Sequence, residues 1–236
     1  MGVHETAPVG VHETVPVDVH ETVPVDVHEA LRARRMVRSF SERTVSPKLL
    51  GRLLGDALHA PTAGNTDGTA WVVLTGPDET RRYWEAATTA SWRSRARRWP
   101  GLSRAPVVAV ALASPAAYVA RYAEPDKVQG ASDLGLGSSE RAWPVPYWFG
   151  DAAFSVMSLL LGAASEGLGA CFLGNFRSEH AVLDVLDVPP GWRLFGTVLL
   201  GYPAGDDVRS PSLDRPRHDD ARLHFGRWGR QPPAPS

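Results

Sequence analysis

The chain has 236 residues, 43% of them hydrophobic, enough for one domain with a substantial core or for a compact domain carrying long arms. Its 25 basic and 26 acidic residues leave a formal charge of −1, so no net field draws it to nucleic acid or to an anionic membrane surface. A single cysteine, Cys171, excludes an internal disulfide, and with no apolar run of membrane-spanning length and no apolar signal core the expected location is the cytoplasm.

Residues 1–25 are built from an eight-residue repeat, Val-His-Glu-Thr-x-Pro-Val-Asp/Gly, with prolines at 8, 16 and 24 that break any helix, so this segment reads as an extended arm. His4, His12 and His20 recur at a spacing that fixes no coordination geometry, and no metal site is expected. In the fourth copy the pattern changes: Asp26 serves as N-cap with Glu29 at the third helical position, and the folded domain begins there.

The helix starting at Val27 runs into Arg34-Arg35-Met36-Val37-Arg38-Ser39-Phe40, which places three guanidinium groups within five positions. Such a cluster reads either as an anion-binding site or as an arginine-capped helix end favoured by the dipole. Ser46-Pro47 starts a core helix whose stripe is Leu49, Leu50, Leu53, Leu54, Ala57 and Leu58, stopping near Ala60 because Pro61 disfavours helical geometry before it. Ala60-Pro61-Thr62-Ala63-Gly64-Asn65 is a small-residue turn that lets a ligand approach the backbone.

Residues 71–75 read as a buried strand, 78–99 as a helix, and 106–113 as a second buried strand. Arg93, Arg95, Arg97 and Arg98 form a solvated basic face or an NADPH-phosphate contact, for which the sequence supplies no geometry. Residues 130–148, rich in Gly, Ser and Pro with Trp143, Tyr147 and Trp148, suit a lid or pocket wall, and Gly135-Leu-Gly137 lacks the third glycine and the context of a dinucleotide-binding turn. Asp151 reads as the N-cap of an uncharged helix over 152–165, which must lie in the core or at a dimer interface, with Gly162 permitting close approach. Glycines at 167 and 169 end that helix and open a short apolar strand in which Cys171 packs without an activating neighbour. Residues 193–203 form the last core strand, and a polar tail carries Arg215-Pro-Arg217.

In this order the stretches resemble the nitroreductase-like flavoprotein family, whose pattern is roughly Arg-Arg-Ser-x-Arg-x-Phe, a helix, then Ala-Pro-Ser-x-x-Asn. The resemblance covers approximately residues 26–228 at scattered points, with 229–236 as a flexible tail. It implies an α+β fold with a mixed central sheet flanked by helices, in an arm-exchanged homodimer with FMN at the subunit interface. It assigns Arg34 to the FMN phosphate, Arg35 and Met36 to backbone and side-chain contacts with the cofactor, and Arg38 to the pyrimidine edge of the flavin. Pro61, Thr62, Ala63 and Asn65 would reach the flavin of the other subunit. Leu173 and Gly174 would present backbone N–H groups to flavin N5, and Arg215 and Arg217 would join Arg34 on the phosphate.

Two departures stand out: Met36 replaces the usual Ser or Thr, and Asn65-Thr-Asp-Gly-Thr-Ala-Trp71 replaces Asn-x-Gln-Pro-Trp. The implied activity is FMN-dependent hydride transfer from NAD(P)H through flavin N5 to a nitroaromatic, quinone or similar small acceptor, with no obligatory protein acid or base. A flavoenzyme that oxidises an organic substrate with oxygen, and a non-catalytic flavin-binding protein, are the alternatives.

Overall fold

A strand with no charge along its length can be buried on both faces, and β2 (Val107–Ala113) is so buried at every residue. It lies inside a four-stranded sheet of order β1-β2-β4-β3, formed with β1 (Thr69–Thr75), β3 (Gly169–Leu173) and β4 (Arg193–Gly201). The computed structural model describes residues 26–95, 100–128, 134–175, 178–215 and 222–230; the octapeptide repeats and the end of the tail lie outside these residues. Side chains alternate across the sheet with the period of two that a pleated strand imposes. Val107, Ala109 and Ala111 join one core with α2 (Pro47–Leu58) and α7 (Tyr147–Ser165), while Val108, Val110 and Leu112 join the other with α3 (Gly76–Ala87) and α8 (Glu179–Val185).

The architecture is therefore α+β with helices on both faces. Its sheet differs from the expected mixed one, because every adjacent pair of strands is antiparallel. Among the described residues, the parallel pairing is the isolated Met36–Ala170 bridge, where the arginine segment meets β3 and turns away after one backbone bond. β1 is half-buried, since it forms an edge of the sheet. Gly76-Pro77 opens α3 directly, with no loop between strand and helix.

The remaining helices are short: α1 (Val27–Ala33), α4 (Ala90–Arg95), α5 (Pro115–Tyr122) and α6 (Pro125–Val128). Asp26 caps α1 through the His28 N–H, and Ser46 caps α2 through the Leu49 N–H, as the sequence indicates. Leu50, Leu53 and Ala57 of the α2 stripe are buried, whereas Leu58 at its end is exposed. The helix read over 78–99 is broken at Thr88 and Thr89. There the Thr88 hydroxyl bonds the Trp84 carbonyl and the Thr89 hydroxyl accepts the Trp92 N–H, ending one helix and capping the next. Trp143 and Trp148, read as parts of a lid, are buried against Tyr118 in an aromatic cluster beside Ala113 and Ala152.

α7 begins four residues before Asp151 and runs for 19 residues, so it is long and apolar enough in length and composition to cross a membrane. Its inner face packs on α2 and the sheet, and Asp151 is held within its second turn by polar partners. Its outer face leaves Phe154 53% exposed, with Tyr147 and Met157 beside it.

Gly167 takes φ 69° at the end of α7, and the Leu168 N–H returns to Ala163 to close the turn into β3. Gly169 then allows the arginine segment to close on the strand, because a Cβ there would stand 2.8 Å from the Val37 side chain. Val37 is tied to the same strand by its N–H bond to Ala170 and cannot retreat. Gly169→Ala should therefore cost about 1–3 kcal/mol of stability, the range for overpacking a filled site. Urea denaturation measures it; an unchanged midpoint would show that the segment is not held against β3.

Candidate functional site

Arg34 is the C-cap of α1, its N–H bonded to the Ala30 carbonyl. The chain then passes along β3, where the Val37 N–H donates to Ala170 and the Met36 Sδ accepts the Phe172 N–H at 3.3 Å. This gives Met36, which departs from the family pattern, a place in the structure that a shorter serine could not fill. On its other side the segment meets the loop leaving β4. Ser41 N–H donates to Tyr202, Ala204 N–H donates to Ser39, and Phe40 bridges Pro203.

Asp207 in that loop accepts the Arg38 N–H at 2.8 Å and the Ser39 N–H at 2.9 Å, and it pairs with the Arg35 guanidinium. The Arg35 side chain, read as a cofactor contact, is paired through Nη1 with the Asp207 carboxylate and stays 33% exposed. Arg38 Nη1 donates to the Met36 carbonyl at 3.1 Å, a bond that folds the side chain back over its own segment. The Arg34 guanidinium makes no hydrogen bond or ion pair among the described residues, nor does that of exposed Arg215. Arg217 lies outside the described residues.

The second segment, Pro61 to Asn65, is a tight turn with Gly64 at φ 68° and Asn65 at φ 55°. Ala63 N–H donates to Asp151 at 2.7 Å, the Tyr118 hydroxyl donates to the same carboxyl oxygen at 2.7 Å, and the Gly64 carbonyl accepts from Arg121 at 2.9 Å. Burial and the Asp151 hydrogen bond push the Tyr118 hydroxyl well above its ordinary range, so it remains a donor. Asp151 is thus a buried anchor in the body of α7, correcting its reading as an N-cap: the helix starts at Tyr147, and the carboxyl is used across the fold. The partners of this turn are α5 and α7, and among the described residues no hydrogen bond joins it to the arginine segment.

Leu173 and Gly174 end β3 at the wall of a pocket of about 380 Å³, shared with Asn175, Tyr83, Trp84 and Trp92. Asn175 is fixed at both ends of its amide, donating to the Tyr83 hydroxyl at 3.0 Å and accepting from Thr197 at 3.0 Å. Trp84 and Trp92 stack with centroids 6.2 Å apart, an aromatic wall that the single-helix reading of 78–99 did not place. The Trp84 Nε1 is buried without a partner among the described residues. Cys171, two residues before the pocket rim at Leu173, has a thiol pushed up to about 11 by burial, and it acts as packing.

This arrangement is a cationic segment seated against a strand whose end opens on an aromatic pocket of small-molecule size. The sequence matches the nitroreductase family over residues 31–202, and the chain belongs to that family, whose members are generally flavin-dependent and typically dimeric oxidoreductases. A provisionally named NADH dehydrogenase/NAD(P)H nitroreductase of Archaeoglobus fulgidus is 25% identical over 198 residues, covering 83% of this chain and 94% of its own. Among solved structures, a hypothetical oxidoreductase from Bacillus subtilis superposes with a TM-score of 0.64 at 20% identity, covering 86% of this chain and 74% of its own. Nitroreductase A from Vibrio parahaemolyticus gives 0.60 at 16% identity, covering 86% and 76%. These structural likenesses are of fold.

The residues present suit an FMN group. A phosphate dianion calls for cations without a protein partner, which among the described residues Arg34 and Arg215 are, and a flat ring calls for apolar and aromatic walls such as the Trp84–Trp92 pocket at Leu173 and Gly174.

The polar anchors found here give two direct tests. Asp151→Ala leaves the buried Tyr118 hydroxyl and the part-buried Ala63 N–H without their acceptor, and should cost about 1–3 kcal/mol in thermal or urea unfolding. Wild-type stability in that variant would remove Asp151 as the anchor of the turn. Cys171, 1% exposed and with a thiolate fraction of roughly one in a thousand at pH 8, should resist iodoacetamide in the native protein and react fully once unfolded.

Proposed function

We propose that the protein is an FMN-dependent NAD(P)H oxidoreductase acting on a small organic acceptor such as a nitroaromatic or quinone. The observation that supports this most is the arginine segment, which keeps the spacing of the family pattern and is hydrogen-bonded along both edges, on β3 and on the loop after β4. Bound FMN would supply the two-electron chemistry between nicotinamide and acceptor. Arg34 and Arg215 hold the phosphate, and Arg38 carries a fixed positive charge to the pyrimidine edge of the ring. Leu173 and Gly174 offer backbone N–H groups at the strand end, where neither residue contributes a titrating side chain. The segment's guanidinium and amide groups keep their protons at neutral pH, so they would orient the ring and the protons taken up by the acceptor would come from solvent.

The same reading makes the protein a homodimer. α7 is charge-free from 152 to 165 and yet presents Phe154, Met157 and Tyr147 outward, and the tail exposes Leu223, Phe225 and Trp228, the last at 87%. A stripe of this kind is covered when two copies pack α7 against each other and exchange tails. The turn at Pro61, Thr62, Ala63 and Asn65, which is bonded to α5 and α7 of its own chain, then faces the second copy's cofactor.

The absorbance spectrum of the purified protein tests the central claim: flavin bands should be present or should develop on adding FMN, and should bleach anaerobically with NADH or NADPH and recover with a quinone. Absence of any flavin band after reconstitution would refute it. Recovery with oxygen alone would favour an oxidase. Arg34→Ala should weaken FMN binding by about 1.5–3 kcal/mol, or roughly ten- to a hundredfold. Arg38→Ala should instead lower the bound-flavin potential, because the reduced ring loses more stabilisation than the oxidised one. Equal affinity loss in both variants with unchanged potential would place Arg38 on the phosphate. Sedimentation at micromolar concentration should give a dimer; a monomer holding FMN would exclude shared sites.

A further inference from the structure

Asp207 stands on the loop that leaves β4, with its side chain 2% exposed. A carboxylate so deeply buried is costly unless its lone pairs are met by donors. Here they are met entirely by the arginine segment: Oδ1 takes the Arg38 and Ser39 N–H groups, and Oδ2 faces the Arg35 guanidinium. Its neighbour Asp206 accepts the Ser39 hydroxyl at 2.6 Å and meets Arg104 at 2.8 Å, and these two partners hold its carboxyl below the usual range. Three arginines beside a buried anion are not three available cations. One is already paired, and the backbone of another is fixed by the same carboxylate.

We propose that Asp207 is the positioning residue of the cofactor segment: it anchors the backbone at Arg38 and Ser39 and withdraws Arg35 from the anion-binding set, leaving Arg34 for the phosphate and Arg38 for the ring. This rests on the FMN reading for its ligand and on the protein's own hydrogen bonds for its anchor. The two parts are tested separately.

For the anchor, amide hydrogen exchange is followed in flavin-free protein. The side-chain carbonyl oxygen introduced by Asp207→Asn would still accept both N–H groups, and an alanine methyl would not. Asp207→Ala should therefore exchange the Arg38 and Ser39 amides at least about tenfold faster than Asp207→Asn, with Asp207→Ser as the second truncation should alanine not fold. Equal exchange in the truncated and amide variants would overturn the anchor whether or not the protein binds flavin.

For the cation set, FMN affinity is read by fluorescence quenching. Asp207→Ala should bind FMN about tenfold or more weakly and shift the bound-flavin spectrum, while the paired neutral variant carrying Arg35→Met and Asp207→Asn should stay within about threefold of wild type. If the double variant loses as much affinity as Arg34→Ala, Arg35 is a phosphate ligand and the proposal is overturned. If wild-type protein binds no FMN, the functional reading falls, and the exchange comparison alone decides the anchor.

Discussion

A short irregular stretch, residues 36–41, is hydrogen-bonded along both of its edges, and the rest of the fold supplies those two edges. One is β3, which offers the Ala170 carbonyl and the Phe172 N–H; the other is the loop after β4, which offers Tyr202, Ala204 and Asp207. Each bond contributes a net of about 1 kcal/mol, yet together they over-determine a backbone that belongs to no regular element. That is how an arginine-rich segment keeps one shape without a helix or strand of its own. A cation placed against a flavin ring is useful only if it does not reorganise as charge develops there.

Much of this was legible in the sequence where the signal is local. The α2 stripe with its Ser46 cap, the charge-free β2, and the glycines that close α7 onto β3 all follow from side-chain periodicity and turn chemistry. The order of motifs gave the family, and the family gave the segment to watch. What the sequence does not carry is how each charge is committed. Arg34, Arg35 and Arg38 look alike in a string, but Arg35 is engaged by an aspartate that lies beyond the last strand. Asp151 looks like a helix cap because it precedes an uncharged run, whereas its partners, Ala63 and Tyr118, lie 88 and 33 positions away. The break between α3 and α4 escaped for a different reason: two adjacent threonines satisfy both helix ends with their own hydroxyls, and no glycine or proline marks the spot.

The aromatic residues form a second framework that links the sheet to α7. Phe149, Phe195 and Phe172 stack in sequence, with centroids 6.1 Å and 5.5 Å apart, joining α7, β4 and β3 behind the strand end that carries Leu173 and Gly174. Stiff rings with few rotamers transmit position well. The strand end is thus backed by stacked rings, while the arginine segment is held by backbone bonds and the Asp207 carboxylate, and the two meet where the Phe172 N–H donates to Met36 Sδ.

α7 serves two clients on opposite sides of one rigid rod. Through Asp151 it grips the turn at 61–66, and through Phe154 and Met157 it meets whatever lies beyond the chain. The helix runs 19 residues without a break, so a shift of α7 as a rigid body carries the gripped turn with it. A substitution at the outward positions therefore acts on the placement of a loop that it does not touch.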